Sequence, residues 1–243
     1  MSSATSPRLV FVACFNNEQI LNTRLLASPC LLNHRYPIHL VSNQASAGHA
    51  YNGFTQGTPP MPENTWWVWI HQDVYLPEGW DRLFIENLEH VQSQFTNLAV
   101  VGLYGVAGHA PHTVRAGKIL DRGKALYEAT PLPFLVDSVD ELLIATRADL
   151  HIGFDPALGF DLYGTDVVLS AQARNLVAAV IEAPCEHWSD TPSLPPFPPA
   201  LIERITRSAN AFETKWQNRL PLATPCFEID RIGAVNAFFV THS

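Results

Sequence analysis

Three polar residues follow a strongly apolar segment and could hold a metal ion. Thr65–Ile70 (TWWVWI) predicts a buried strand, and it runs directly into His71, Gln72 and Asp73. In open α/β sheets, ligands bind at the carboxyl ends of the strands, which is where Asp73 would emerge. A carboxylate at that edge, with a second oxygen or imidazole ligand nearby, can hold Mg²⁺ or Mn²⁺ against a diphosphate. A purely structural role, in which Asp73 caps the following turn, fits the same spacing equally well.

Three carboxylates lie close together farther along the chain. Asp155, Asp161 and Asp166 fall within twelve residues, and Asp166 stands near the start of a helix predicted over Gly164–Leu176. We expect Thr165 or Asp166 to cap this helix. The helix dipole and backbone amides would keep the Asp166 carboxylate ionised and lower its pKa. Such a carboxylate suits capping and base catalysis equally, and carboxylates in loops are often only solvated.

A histidine follows the last central strand that the sequence predicts. The segment APCEHWS places Glu186 and His187 just after a strand predicted over Ala178–Ala183. A single histidine in this position is more often structural than a metal ligand. In a parallel sheet, however, His187 and Asp73 would both lie at carboxyl ends of strands, where their side chains could meet.

The elements that must position these residues alternate between apolar strands and helices. Strands are predicted over Leu9–Cys14, Pro37–Ser42, Thr65–Ile70, Leu98–Leu103, Phe134–Val139, Leu142–Ala145 and Ala178–Ala183. Helices are predicted over Glu18–Leu26, Trp80–Phe95 and Gly164–Leu176, and over about 20 residues from Pro199. This order is typical of parallel strands joined by helices. We therefore expect an α/β fold with a mostly parallel sheet flanked by helices.

Several connecting segments have a distinctive composition. Residues 43–57 are polar and contain glycine, which predicts a connection with room for one helical turn. Residues 113–128 predict a surface hairpin around Asp121-Arg122-Gly123. Residues 191–200 contain five prolines and predict a stiff, polyproline-like segment. That segment is either a lid that closes over a bound ligand or a rigid spacer to the last long helix, after which a short tail ends at 237–240.

Composition restricts the class of protein. The chain has 243 residues, of which 47% are hydrophobic and 10% aromatic, and its formal net charge is −8. A chain of this length can bury a large core, so we expect one domain over 1–243, with 191–243 packing on it and only 1–7 disordered. The acidic charge argues against nucleic acid as a partner, because nucleic-acid binding depends on clustered Lys and Arg. A bound cation would still let an acidic protein hold an anionic nucleotide.

Cysteines and apolar runs bear on the location of the protein. Cys14, Cys30, Cys185 and Cys226 are too widely spaced for a zinc motif and indicate reduced thiols rather than a disulfide framework. No apolar run approaches the roughly 18–20 residues that span a bilayer. The seven-residue run at 9–15 lacks the flanking residues of a signal peptide. We expect a cytoplasmic protein, with peripheral membrane contact left open.

The ordered series of these segments resembles a GT-A type glycosyltransferase, specifically the inverting, family-2-like sugar transferases and a bacterial capsule-related branch among them. Phe11–Glu18 is similar to the family's opening strand and nucleotide-binding turn, and Val41–Gly53 to its second strand and Asn-x-Gly segment. His71-Gln72-Asp73 occupies the place of the Asp-x-Asp motif, and Phe154–Asn175 resembles the acceptor-side segment. The resemblance covers residues 8–190 in the family's order.

This resemblance implies a GT-A (Rossmann-like) fold and transfer of a sugar, with inversion, from a nucleotide-diphosphate sugar to an acceptor hydroxyl. It implies Asp166 as the catalytic base. Glu186-His187 is similar to the late histidine that helps to bind metal and diphosphate, so Asp73 and His187 are implied ligands of Mn²⁺ or Mg²⁺. Two positions depart from the pattern, since His71 replaces the first acid of Asp-x-Asp and Thr165 replaces a Glu before the base. The implied donor-binding residues are Phe15, Asn16, Asn17, Glu18, Ser42, Asn43, Asn52, His71 and Gln72.

Two other classes of protein stay open. A sugar-phosphate nucleotidyltransferase uses a similar sheet but needs an early glycine-rich, basic loop, whereas Asn16-Asn17-Glu18 follows the first strand here and the first glycine is Gly48. A catalytically silent protein of the same fold, which recognises a nucleotide or glycan, is favoured by His71 in place of an acid. The expected partners are a nucleotide-diphosphate sugar and a glycan or small-molecule acceptor.

Overall fold

The computed structural model describes residues 6–32 and 34–242 of the chain. Of the segment 1–7, which we expect to be disordered, residues 1–5 lie outside the described ranges. Pro7 is buried, and Ser6 donates a hydrogen bond to Glu89. No helix in the described ranges is long and apolar enough to cross a membrane.

Strands and helices alternate along the described chain. The strands are β1 (Arg8–Phe15), β2 (Ile38–Ser42), β3 (Thr65–His71), β4 (Val74–Tyr75), β5 (Leu98–Gly102), β6 (Tyr104–Ala107), β7 (Val114–Asp121), β8 (Lys124–Tyr127), β9 (Phe134–Leu135), β10 (Ser138–Val139), β11 (Leu143–Arg147), β12 (Val177–Val180), β13 (Glu186–His187), β14 (Leu222–Ala223) and β15 (Glu228–Ile229). The α-helices are α1 (Glu18–Thr23), α2 (Pro29–Leu32), α3 (Ala47–Gly57), α4 (Trp80–Gln94), α5 (Tyr163–Gln172), α6 (Pro199–Lys215) and α7 (Ala234–Thr241). These elements position the candidate site through two main sheets.

The central sheet contains seven strands in the order β2-β1-β3-β11-β5-β12-β9. Five of them run in one direction, while β11 and β9 run against their neighbours. Successive residues of β3 point to opposite faces, so Trp67 and Trp69 join a core with α3 and α5, whereas Trp66 and Val68 join a core with α4. Helices thus cover both faces, and the expected single α/β domain with a mostly parallel sheet is confirmed.

A second sheet, β10-β6-β7-β13-β4, packs beside the central one, with β8 paired to β7. β7 and β8 form the hairpin predicted over 113–128, and Arg122 and Gly123 at its tip have φ angles of 51° and 76°, as a tight hairpin turn requires. β13 runs parallel to β7 and antiparallel to β4. His187 therefore reaches the site from the second sheet and not, as expected, from the carboxyl end of a central strand.

Most of the connection predicted over 43–57 is the helix α3, whose eleven residues exceed the single helical turn expected. Ser46 caps it by accepting a hydrogen bond from the His49 backbone N–H. Gly48 allows the helix to approach another segment closely, because a Cβ at this position would lie 2.4 Å from Pro156 N. Glycine here serves close packing rather than a turn, which is why its presence misleads the prediction.

Two predicted elements have other limits in the structure. The strand predicted over Phe134–Val139 is divided between two sheets, since β9 pairs with β12 and β10 pairs with β6. The change occurs at Val136 and Asp137, whose backbone N–H groups donate to carbonyls of different strands. The helix predicted over Glu18–Leu26 ends at Thr23 and is followed by a short 3-10 helix.

A buried carboxylate joins α6 to α7. Glu213 of α6 is fully buried, and its two oxygens accept hydrogen bonds from the backbone N–H groups of Gly233 and Val235. These donors lie at the start of α7, where backbone N–H groups have no partner within the helix. Glu213 thus caps α7 from a neighbouring helix, and the segment predicted as a tail at 237–240 belongs to α7.

We expect Glu213→Gln to lower the free energy of unfolding by about 1–2 kcal/mol, because an amide offers one acceptor oxygen to two donors. Urea denaturation measures this change. Glu203→Gln on the exposed side of the same helix is the matched control, since its ion pair with Arg207 lies at the surface and contributes little. Equal stabilities of the two variants would contradict the capping role.

Candidate functional site

The carboxyl end of β3 is the centre of the candidate site. β3 ends at His71, and Gln72 and Asp73 follow in the turn to β4. Gln72 Oε1 accepts hydrogen bonds from the backbone N–H groups of Asn16 (3.1 Å) and Asn17 (3.0 Å). Its Nε2 donates to Asn16 Oδ1 (2.8 Å). Gln72 therefore fastens the end of β1 to the end of β3.

Asp73 lies between two histidines from different sheets. Its Oδ1 is 3.4 Å from His187 Nε2 and 4.0 Å from His71 Nδ1. One ligand atom from each of the three side chains lies within 4.8 Å of the others. The Trp188 backbone N–H donates to the Asp73 carbonyl (3.0 Å), which holds β13 beside the turn. The structure thus brings His187 to Asp73, as the sequence suggested, and adds His71 to the group.

Hydrogen bonds decide which nitrogen of each histidine faces Asp73. His187 Nδ1 lies 2.8 Å from Asp121 Oδ1, and since a carboxylate only accepts, Nδ1 carries the proton. His71 Nε2 lies 2.8 Å from Tyr163 Oη, whose proton is donated to a backbone carbonyl, so His71 Nε2 donates to the hydroxyl. In the neutral rings, His187 Nε2 and His71 Nδ1 therefore direct lone pairs toward Asp73, which suits coordination of a metal ion.

The electrostatics of the three groups fit a cation as well. Burial lowers the pKa of His187, but Asp121 and Asp73 outweigh burial and raise the pKa to about 9. Burial lowers the pKa of His71 and keeps that ring neutral. His187 Nε2 is buried and makes no hydrogen bond of standard geometry within the described chain. A divalent cation would replace the proton that this nitrogen otherwise holds toward Asp73.

A cleft of about 260 Å³ opens beside these residues, at the ends of β1, β2 and β3. Arg204 of α6 is the only arginine or lysine among the described residues that line it. A polyanion bound in the cleft would therefore need a further positive charge. Seven of the residues singled out in the sequence line the cleft: Phe15, Asn16, Asn43, His71, Gln72, Asp73 and His187.

The other predicted donor-binding residues do not line the cleft. Asn17 caps α1 by accepting from two backbone N–H groups of its first turn, and Glu18 is exposed in that turn. Ser42 is exposed at the end of β2, and Asn52 lies within α3. The donor contacts expected of these four residues stay predictions.

Asp166 lies buried beneath α6 and does not line the cleft. Its Oδ1 accepts from Lys215 Nζ and from Trp216 Nε1, each at 2.7 Å. The prediction that Thr165 or Asp166 caps α5 is wrong, because the N-cap residue is Leu162 and makes no side-chain cap bond. The predicted lowering of the Asp166 pKa is also wrong, because burial raises this pKa more than Lys215 and Trp216 lower it.

We expect Lys215→Met to lower the free energy of unfolding by about 2 kcal/mol near neutral pH, because it leaves the Asp166 carboxylate buried and unpaired. This loss of stability is smaller than that expected for a fully buried ion pair, because the Lys215 side chain is 35% exposed to solvent. The pKa of Asp166 is higher in the folded protein than in the unfolded chain, so ionisation of this carboxyl disfavours folding. The stability lost in Lys215→Met should therefore grow as pH rises above about 4. Urea denaturation at acidic and neutral pH measures it.

The double variant Asp166→Asn/Lys215→Met is the control for this prediction. An amide at 166 carries no charge to leave unpaired, so most of the lost stability should return, and the pH dependence that remains should be the part due to Asp155, the second partner of Lys215. A loss that is the same at both pH values, or unchanged in the double variant, would contradict the pairing.

Three residues that complete the site were given no individual role from the sequence, although Tyr163 lies in the segment that resembles the family's acceptor side. Asp121 lies in the hairpin, Tyr163 opens α5, and Arg204 lies within α6. Each reaches the site through long-range packing, by the pairing of β7 with β13 or by helices that pack on the central sheet. Their roles follow only from the three-dimensional contacts.

Comparisons with known proteins give likenesses of fold at low identity. No protein-family model and no curated protein matches the chain. A crystallised protein from STIV is 14% identical, with a TM-score of 0.45 over 75% of this chain and 86% of that chain. S. aureus TarS 1-349 in complex with UDP-GlcNAc is 10% identical, with a TM-score of 0.45 over 97% of this chain and 72% of that chain. The inositol-1-phosphate CTP transferase from T. maritima is 10% identical, with a TM-score of 0.39 over 84% and 97% of the two chains.

None of these TM-scores reaches 0.5. The function of this chain is therefore argued from its own residues.

Proposed function

We propose that this protein is a GT-A type glycosyltransferase that moves a sugar, with inversion, from a nucleotide-diphosphate sugar to an acceptor hydroxyl. The observation that carries the proposal is the convergence of His71, Asp73 and His187 beside a cleft at the carboxyl edge of the central sheet. A departing diphosphate needs positive charge, and because Arg204 is the only arginine or lysine among the described residues lining the cleft, a metal ion is the natural source of more.

Asp73, His71 and His187 would hold the divalent cation. Two imidazoles and one carboxylate suit Mn²⁺ better than Mg²⁺, because Mg²⁺ prefers oxygen ligands. Asp121 would orient the His187 ring from behind, as carboxylates commonly do for histidine ligands. When bound, the cation neutralises negative charge on the diphosphate. The first position of the family's acidic motif would thus be filled here by a histidine that still serves as a ligand.

The remaining lining residues suit a nucleoside diphosphate. The side-chain amides of Asn16 and Asn43 offer both donors and acceptors for a base and ribose, and Phe15 offers an apolar ring. Arg204 lines the cleft while paired with Asp161 at 2.9 Å. We propose that this guanidinium also donates hydrogen bonds to the phosphate groups, since its planar N–H groups can bind two phosphate oxygens at once.

Asp161, rather than Asp166, is the general base of this proposal. Asp161 lines a second cavity that adjoins the cleft, and Arg204 lines both. Burial raises the pKa of Asp161 more than Arg204 lowers it. The raised pKa makes this carboxylate a better proton acceptor, because a general base works best when its pKa is near the working pH. The acceptor oxygen bonds to the anomeric carbon as its proton passes to Asp161. The bond from that carbon to the diphosphate breaks, and its electron pair stays on the diphosphate oxygen.

Binding of nucleoside diphosphates tests this function. The melting temperature is measured with UDP, GDP, CDP or ADP, each with Mn²⁺, with Mg²⁺ and without a metal. We expect one diphosphate to raise the melting temperature, and to do so most strongly with Mn²⁺. Release of that diphosphate from matching sugar donors then identifies the sugar. No stabilisation by any diphosphate with either cation would contradict the proposal.

A further inference from the structure

A second cavity adjoins the cleft and is about twice as large. Its volume is about 560 Å³, against about 260 Å³ for the cleft. That volume lies in the range of small-molecule sites. His71, His187 and Arg204 line both spaces, so a molecule in the second cavity would border the candidate metal centre.

One wall of this cavity is built from phenylalanine rings. Four of them, Phe197, Phe227, Phe238 and Phe239, pack against one another there, and Phe160 lines both this cavity and the cleft. Phe227 with Phe238, and Phe197 with Phe239, stand edge to face with ring centroids 5.4 Å apart. Such aromatic contacts are favourable and fix the rings in place. Because phenylalanine has no hydrogen-bonding group, this wall favours an apolar body over a surface rich in hydroxyls.

The arginines that line the cavity already have partners. Arg204 is paired with Asp161, and Arg122 Nε lies 3.0 Å from Asp121 Oδ2. Arg115 Nη1 donates to a backbone carbonyl at 3.0 Å. Four Asp and Glu side chains also line the cavity, so its three arginines leave no excess positive charge for an anionic ligand. The cavity therefore favours a neutral molecule whose polar group lies at the end nearest His187 and Asp161.

We propose that the acceptor is a neutral, amphiphilic alcohol, with an apolar ring or chain against the phenylalanine wall and its hydroxyl beside His187 and Asp161. The acceptor role rests on the proposed function. The ligand class rests on the cavity alone. A free sugar fits the phenylalanine wall poorly, because each hydroxyl placed against those rings loses its hydrogen bonds to water.

Fluorescence titration of the full chain with 2-naphthol, a neutral aromatic alcohol, tests the ligand class. We expect saturable binding of one molecule per chain, without competition from methyl glucoside. Leu201→Asp should weaken binding at least about tenfold, because it places a carboxylate in the apolar lining. Leu201 is partly exposed in the first turn of α6, where an aspartate is well tolerated.

Leu83→Asp is the matched control, because Leu83 is partly exposed in the first turn of α4 and is not among the residues lining the cavity. Leu126→Asp, from the hairpin, alters the same cavity through a different element and serves if Leu201→Asp does not fold. The proposal is overturned if binding is not saturable, if neither cavity variant weakens it, or if methyl glucoside displaces the naphthol.

The same samples separate this proposal from the proposed function. Leu201→Asp should keep the stabilisation by nucleoside diphosphate and Mn²⁺ while losing transfer of sugar to 2-naphthol. Binding of naphthol without any binding of nucleoside diphosphate would contradict the proposed transferase function but support the proposed ligand class of the second cavity. Transfer to free sugars in preference to 2-naphthol would overturn the acceptor class while supporting the transferase.

Discussion

Replacement of Asp73 by Asn is expected to lower both Mn²⁺ affinity and the rate of sugar transfer at least about hundredfold, because loss of an outer-shell partner alone costs 10–100-fold at metal sites. The amide is similar in size but carries no charge, so the two imidazoles would face the cation without the carboxylate between them. Isothermal titration with Mn²⁺ measures the affinity. Initial rates of diphosphate release measure the transfer.

Asp190→Asn is the matched control for this variant. Asp190 is an exposed carboxylate three residues after His187 and is not among the described residues lining either cavity. It should bind Mn²⁺ as the unaltered protein does. Unchanged Mn²⁺ affinity in Asp73→Asn would remove Asp73 from the metal site and, with it, the main support for the proposed function.

Asp161→Asn should reduce turnover about 10²–10⁴-fold, which is the usual contribution of a general base. The amide cannot take the acceptor proton, yet it keeps the shape of the side chain. Stabilisation by nucleoside diphosphate and Mn²⁺ should be kept or increased, because the amide no longer offers Arg204 a competing negative charge. Initial rates and melting temperatures measured on the same preparation separate the chemical step from donor binding.

Asp166→Asn decides between the base proposed from the structure and the base implied by the family resemblance. The Asp166 carboxylate is buried against Lys215 and Trp216, so we expect this variant to turn over at a nearly normal rate. Lys215 would keep its second partner, Asp155, at 2.8 Å. A folded Asp166→Asn protein without turnover, beside an active Asp161→Asn protein, would restore Asp166 as the base.

The sequence predicts well those features that depend on local pattern. The apolar run before His71 forms a buried strand, and the polar residues after it lie at the sheet edge where they were expected. The hairpin over 113–128 follows from its Asp-Arg-Gly turn. Strand periodicity and turn residues act over a few positions, so the chain itself displays them.

Features that depend on distant contacts were not predictable. Asp166 has the spacing of a helix cap, but α6 covers it and supplies a lysine about fifty residues away in the sequence. Asp121 and His187 meet only because β7 pairs with β13. Arg204 reaches the cleft through the packing of α6. In each case the burial and charge of the group are set by a segment that no local pattern connects to it.

The position of His187 on the second sheet has a consequence for the stability of the whole protein. Asp73 follows a strand of the central sheet, so a cation shared by these two side chains would join the two layers directly. Separation of the two sheets during unfolding would then require release of the ion. The melting temperature should therefore rise with the concentration of free metal ion. Depletion of the metal would loosen the junction between the layers as well as remove a chemical group.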